Sequence, residues 1–213
     1  SPPLRTDPAS CALAIPHKVA RSLSLQQLSS LCREATNQAP ARCLSAVTSS
    51  SSSSRSLSLD NIIELCSRSI DDGIATCVSS GVSPTGRRRR LEISSQHLRD
   101  LCTNATNSGP TDCYRSLPSH SFPNDRIVVS LCVGATTSSP AECAARLLAH
   151  PMVRTSVKSS ELVSSLSKLC RGATTVAPAE CYERALELGI VGSGGVERMG
   201  HGDVVTLCTR ADD

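Results

Sequence analysis

Aromatic residues are nearly missing from this 213-residue chain, which has no tryptophan, one phenylalanine and two tyrosines. Aromatic side chains bring the largest buried areas to a core, so a core here rests on Leu, Ile, Val and Ala and packs thinly. Long apolar runs are missing too, and none approaches the roughly eighteen residues that a membrane span requires; no span is expected. No cationic start leads into an apolar stretch, so any secretory signal is expected to have been removed or to lie outside this sequence. A charge of one sign is not in excess: the formal charge is +3 and charged residues make up only 19% of the chain, which argues against a nucleic-acid partner. Nucleophile elbows and H-E-x-x-H pairs are absent, and the five histidines (His17, His97, His120, His150, His201) fall at unrelated places. No enzymatic activity, catalytic residue or cofactor is expected. His201-Gly202-Asp203 reads as a loop that opens a helix.

Cysteine, by contrast, is abundant and in register. Cys32 and Cys43, Cys66 and Cys77, Cys102 and Cys113, Cys132 and Cys143, and Cys170 and Cys181 are all separated by ten intervening residues. Five identical gaps do not arise by accident, and with Cys11 and Cys208 they define six units, each with a first cysteine and a second. Every second cysteine follows a leucine (Leu31, Leu65, Leu101, Leu131, Leu169, Leu207), and an aliphatic residue stands four positions before it (Leu28, Ile62, Leu98, Val128, Leu166, Val204). Five first cysteines have proline three residues earlier (Pro8, Pro40, Pro110, Pro140, Pro178), and the sixth has the turn Asp71-Asp72-Gly73. The units are 1–37, 38–71, 72–107, 108–137, 138–175 and 176–213, in one tandem-repeat domain spanning 1–213.

Each half-unit reads as a helix. In Ser139-Pro140-Ala141-Glu142-Cys143, proline early in a helix, with serine and glutamate as a capping box, predicts a helix start. In Ser24-Leu25-Gln26-Gln27-Leu28-Ser29-Ser30-Leu31-Cys32, apolar residues three and four apart after a serine cap predict a second helix. The expected fold is all-α: a solenoid of six antiparallel helix pairs, about 30–38 residues each, in which a unit contacts mainly its neighbours.

Metal binding fits the cysteines poorly, because structural zinc sites bring two ligands close in sequence and no C-x-x-C pair exists; no metal site is expected. Reduced core cysteines remain an alternative, but twelve in register exceed that need. Disulfides suit an even count in a chain with a thin core, and they imply an oxidising compartment. Two pairings compete. Within-unit pairing (Cys11–Cys32, Cys43–Cys66, Cys77–Cys102, Cys113–Cys132, Cys143–Cys170, Cys181–Cys208) leaves no thiol over and is preferred. Cross-unit pairing of the Cys32–Cys43 kind would account for the invariant gap and leave Cys11 and Cys208 to join one chain to the next.

Unit lengths vary only between the paired cysteines, so the inserted segments map to one face. Serine and threonine together number 51, nearly a quarter of the chain, and the run Ser49, Ser50, Ser51, Ser52, Ser53, Ser54 is a candidate for O-glycosylation or a flexible linker. Asn104-Ala105-Thr106 is the one N-glycosylation sequon, at Asn104. Arg87 to Arg90 is read as a solvated loop, with protease processing or contact with anionic polysaccharide as alternatives. Gly192-Ser193-Gly194-Gly195 lacks the Gly-Lys-Ser/Thr of a phosphate cradle.

Leu169-Cys170-Arg171-Gly172-Ala173-Thr174 followed by Pro178-Ala179-Glu180-Cys181 resembles the cysteine-bearing tandem helical repeats of large secreted or cell-surface proteins of algae-like unicellular eukaryotes. The resemblance covers the whole chain and implies an extracellular structural role. The expected function is therefore an extracellular structural glycoprotein, a subunit of a fibre, wall or surface appendage that self-associates head to tail, with residues 1–8 as an arm able to lie on the preceding subunit. The alternative is a monomeric secreted binding or adhesion module whose variable loops hold a protein or glycan.

Overall fold

The computed structural model describes residues 8–49, 57–82, 93–117, 122, 124–156, 160–191 and 199–211. In chain order its helices are α1 (Pro8–Leu13), α2 (His17–Ala20), α3 (Leu25–Cys32), α4 (Ala39–Ser49), α5 (Leu59–Cys66), α6 (Gly73–Val82), α7 (Ser95–Cys102), α8 (Gly109–Ser116), α9 (Asp125–Cys132), α10 (Ser139–Ala149), α11 (Pro151–Ser156), α12 (Ser160–Cys170), α13 (Ala177–Glu187) and α14 (His201–Cys208). The described residues contain no strand, only one isolated bridge between Val191 and Met199. Twelve helices carry one cysteine each; α2 and α11 are additional short helices inside the cysteine-to-cysteine segments of the first and fifth repeats.

The second-cysteine helices are α3, α5, α7, α9, α12 and α14, and each ends on its cysteine. Serine caps open three of them: the side chains of Ser24, Ser58 and Ser94 accept from the backbone N–H of Gln27, Asn61 and His97. Asn124 does the same for α9, accepting from Arg126 N–H at 2.8 Å. In α3 the Gln27 side chain answers by accepting from Ser24 N–H at 2.9 Å, which completes a capping box. A tight turn follows every one of these cysteines. The residue three positions on (Ala35, Ser69, Ala105, Ala135, Ala173, Ala211) donates its N–H to the cysteine carbonyl at 2.9–3.1 Å. In three turns the residue two positions on is left-handed, with φ 60° at Asn104 and 77° at Gly134 and Gly172, the conformation that asparagine and glycine adopt most readily.

A different device opens the first-cysteine helices. Six residues before the cysteine, Asn37, Asp71, Asn107, Thr137 or Thr175 accepts through its side chain from the N–H two residues later, at 2.7–3.2 Å. That N–H is one of the orphan donors of the helix start. The capping box expected from Ser139 and Glu142 does not form. Ser139 is itself the first helical residue and needs a partner for its amide, which Thr137 supplies, while the Glu142 carboxylate accepts from the Ser138 hydroxyl at 2.6 Å. His201-Gly202-Asp203 likewise forms the first turn of α14, after Gly200 at the N-cap, and is not a loop.

The chain divides into two compact units, Ser1–Thr111 and Asp112–Asp213. In the first, the second-cysteine helices pack in sequence order, α3 on α5 and α5 on α7, and so do the first-cysteine helices, α1 on α4 and α4 on α6. Contacts between the two rows (α1 with α3, α3 with α4, α4 with α5, α5 with α6, α6 with α7) enclose an aliphatic core that includes Leu31, Leu44, Val47, Ile62, Leu65, Val78 and Leu98. In the second unit α9 packs on α12, α12 on α14 and α10 on α13, and α10 and α12 also meet. Leu147, Val163, Leu166, Leu169, Tyr182 and Val204 are buried there.

Candidate functional site

Six disulfides join Cys11 to Cys32, Cys43 to Cys66, Cys77 to Cys102, Cys113 to Cys132, Cys143 to Cys170 and Cys181 to Cys208, with Cα atoms 5.5–5.7 Å apart. Cys32 and Cys43, one of the five equally spaced pairs nearest in sequence, are each bonded elsewhere. Every bridge ties the helix carrying a first cysteine to the helix that ends on the second, and all the cysteines except half-buried Cys181 are sealed from solvent. The closed loops span 19–27 residues, a length at which a bridge contributes about 3 kcal/mol in the chain-entropy account. Such a set belongs to an oxidising compartment and fits a secreted or extracellular protein.

Between successive repeats within each unit run polar rungs. Gln27 donates to the Asp60 carboxylate at 2.8 Å, Asn37 to the Ile70 carbonyl at 2.9 Å, and Arg42 pairs with Asp72 at 3.0 Å. Arg99 reaches back to Glu64 at 2.8 Å, and the hydroxyls of Ser130 and Ser167 meet at 3.3 Å. Arg146 spans two carboxylates, Glu180 at 2.6 Å and Glu183 at 2.9 Å; the hydrogen bond it donates to Glu183 leads the causes that hold its guanidinium more firmly protonated than usual. Most of these groups are exposed, so each rung contributes little energy but fixes how one repeat is set against the next.

Among the candidate modification residues, Asn104 is exposed in its left-handed turn two residues beyond α7, and Thr106 of the same sequon is exposed as well. Ser49 ends α4 and donates to the Ala46 carbonyl at 3.0 Å. Ser50 to Ser54, Arg87 to Arg90, Gly192 to Gly195, His120 and the arm at residues 1–7 lie outside the described residues. Among the described residues no group of three or more His, Cys, Asp or Glu is placed to hold a metal ion, and no helix is long and apolar enough to cross a membrane.

One buried polar pair was not visible in the repeat pattern. Tyr182, on α13, is fully buried, and its hydroxyl lies 2.5 Å from Nδ1 of His201 on α14. Burial pushes the phenol pKa up to about 12. Tyr114 occupies the same position after its own first cysteine and is raised too, by burial and then by the Asp125 charge. The pair ties α13 to α14, with Tyr182 buried and His201 half-buried.

Large apolar side chains left exposed gather in the first and last repeats. Leu13 (87%) and Leu25 (86%) lie in the first; Leu188, Ile190, Met199 and Leu207 (62%) lie in the last; Ile70 and Met152 stand alone elsewhere. The fold and its bridges thus define a disulfide-rich, all-helical protein in which, among the described residues, six of the eight exposed large apolar side chains lie before Cys32 or after Cys181. Comparison with protein-family models, curated proteins and solved structures finds no match.

Proposed function

We propose that the chain is an extracellular structural protein: a solenoid of disulfide-stapled helix pairs that builds a fibre, wall or surface appendage by stacking end to end, without enzymatic activity. The observation that carries this reading is the concentration of exposed apolar side chains in the first and last repeats. Exposed apolar patches of this kind mark interaction surfaces, and repeat arrays that stay monomeric cover their ends with polar capping units. The order of helix contacts within each unit supports the solenoid, and the six bridges support an extracellular setting. Exposed Asn104 in its sequon suits a glycoprotein.

Sedimentation velocity across a wide concentration range, with electron microscopy of the same samples, tests the reading. Species should grow by multiples of the 22.3 kDa chain as concentration rises. A mass that stays at one chain at every concentration overturns the fibre and favours the monomeric binding module.

A further inference from the structure

We propose that the growing contact joins α14 of one copy to α3 of the next, in the register that neighbouring second-cysteine helices already use inside each unit. The proposal rests on the end-to-end reading above and names its interface. Counted back from the second cysteine, positions seven, four and three lie on one helical face and positions five, two and one on another, because residues three and four apart stack on a helix.

The hydrogen bonds show which face looks which way. The residue two before the cysteine meets the residue three before the next second cysteine in Glu64 with Arg99 and in Ser130 with Ser167. The residue five before meets the residue six before in Gln27 with Asp60. The five-two-one face therefore looks toward the following repeat and the seven-four-three face toward the preceding one.

Burial follows the same division. The leucine one before the cysteine is sealed on five of the six second-cysteine helices: Leu31 0%, Leu65 3%, Leu101 0%, Leu131 0%, Leu169 2%. Leu207, on α14, is 62% exposed. On the opposite face, four before the cysteine, Ile62 (3%), Leu98, Leu166 and Val204 (0%) are buried, whereas Leu28 and Val128 are only half-buried. Seven before, Val163 is buried and Leu59 and His201 are half-buried, but Leu25 stands 86% exposed. The unfilled half of the register on α14 and the unfilled half on α3 are complementary.

The polar positions agree. Carried across the ends, the register sets Thr206 against Ser29, two hydroxyls as in Ser130 and Ser167. It sets Asp203 against Gln26, a carboxylate and an amide as in Asp60 and Gln27. Leu207 then rests on Leu25 and Leu28. In the first-cysteine row Arg184 takes the place of Arg146, but Ser10 and Leu13 stand where Glu180 and Glu183 answer it, so the second-cysteine row sets the register. The occupant is a second copy of this chain because both halves of the contact are present in it.

Two single variants, Ser29→Cys and Thr206→Cys, test the contact; both positions are exposed. Prepared separately with the six native bridges intact and then mixed in a thiol-disulfide buffer, they should link one to the other. Tryptic mapping should return a joined peptide carrying positions 29 and 206. Adding Leu207→Glu to the Thr206 variant should cut the yield by roughly tenfold or more, as expected for loss of a central apolar anchor. Equal linking of either variant with itself overturns the proposal, since the ends would then meet like to like. Absence of the 29–206 link while the unmodified protein still sediments as oligomers overturns the register alone. Unmodified protein that stays monomeric at every concentration overturns the end-to-end reading together with it.

Discussion

Gly73 and Ala105 meet backbone to backbone: a Cβ at Gly73 would fall well inside contact distance of the Ala105 carbonyl oxygen and of Thr106 Cα. Gly73 is the first residue of α6, and the turn it abuts follows Cys102, so one missing side chain sets how closely the start of α6 approaches the turn after α7 within the segment 72–107. The equivalent residues four before the first cysteine are small in four of the other five repeats (Ala39, Gly109, Ser139 and Ala177), and Asp7 in the first. Gly73→Ala should therefore destabilise by about 1–3 kcal/mol, the cost of overpacking against atoms that cannot rotate away. Gly202→Ala in α14 adds a methyl into open space, so it should be neutral or stabilise by up to about 1 kcal/mol. Thermal unfolding of the two variants with disulfides intact checks the pair.

Ser69 holds the turn position that is alanine in the other five turns, buried at Ala35, Ala105, Ala135 and Ala173 and exposed at Ala211. Its N–H closes the turn on the Cys66 carbonyl, but its hydroxyl is buried with no hydrogen-bond partner among the described residues. An unpaired buried hydroxyl costs about 1–3 kcal/mol. Ser69→Ala should raise stability by about 1 kcal/mol, seen as a higher unfolding midpoint. An unchanged or lower midpoint would show that the hydroxyl has a partner in solution.

The bridges should be nearly interchangeable in their effect. Loop-closure entropy rises only with the logarithm of loop length, and the closed loops differ only between 19 and 27 residues. Removing Cys77–Cys102 or Cys113–Cys132 as paired alanine substitutions should each cost about 3 kcal/mol by that entropy. Denaturant unfolding of the two double variants provides the comparison. Non-reducing peptide mapping gives the connectivity directly, and a peptide linking Cys32 to Cys43 would contradict the arrangement described here.

Tyr182 makes stability depend on alkaline pH. Burial raises its phenol from 10.0 to about 12 in the folded chain, so between those values the folded state holds a proton that the unfolded state releases. Stability from this group is complete below about pH 10 and falls as pH rises through about 12. With two tyrosines and no tryptophan, phenolate absorbance resolves the titration cleanly, and both tyrosines should ionise later than a free phenol. Tyr182→Phe should remove the later step and flatten the stability profile across that window. A phenol at position 182 that titrated near 10 would contradict its burial.

The cysteine register made the twelve main helices legible, because each second cysteine closes an apolar pattern three and four residues apart. It did not reveal α2 and α11, which are 4 and 6 residues long and too short to display a period. The caps six residues before five of the six first cysteines also escaped notice. Asn37, Asp71, Asn107, Thr137 and Thr175 are three residue types performing one task two residues ahead of the helix, while the neighbouring proline is the more conspicuous signal. The rungs between repeats are illegible for a related reason: the Glu64–Arg99 and Ser130–Ser167 pairs share positions but not chemistry, and Gln27–Asp60 uses a different pair of positions, so no letter pattern links them. The Tyr182–His201 bond depends on the packing of α13 against α14, which the cysteine spacing does not encode.

Asn104 performs a backbone task and carries a sequon, and two substitutions separate these roles. Its φ of 60° matches the left-handed turns at Gly134 and Gly172, a conformation that costs residues other than glycine about 1–2 kcal/mol, with asparagine among the least penalised. Produced through a eukaryotic secretory pathway, the parent chain should carry a glycosidase-sensitive mass increment at this exposed residue. Asn104→Gly and Asn104→Gln should both abolish the increment. Only the glutamine variant should also lose about 1 kcal/mol relative to the deglycosylated parent, because only it strains the turn after α7. Equal stability of the two variants would mean that the turn relaxes to an ordinary conformation when asparagine is replaced, and the match with Gly134 and Gly172 would then be a coincidence of geometry rather than a requirement of the repeat.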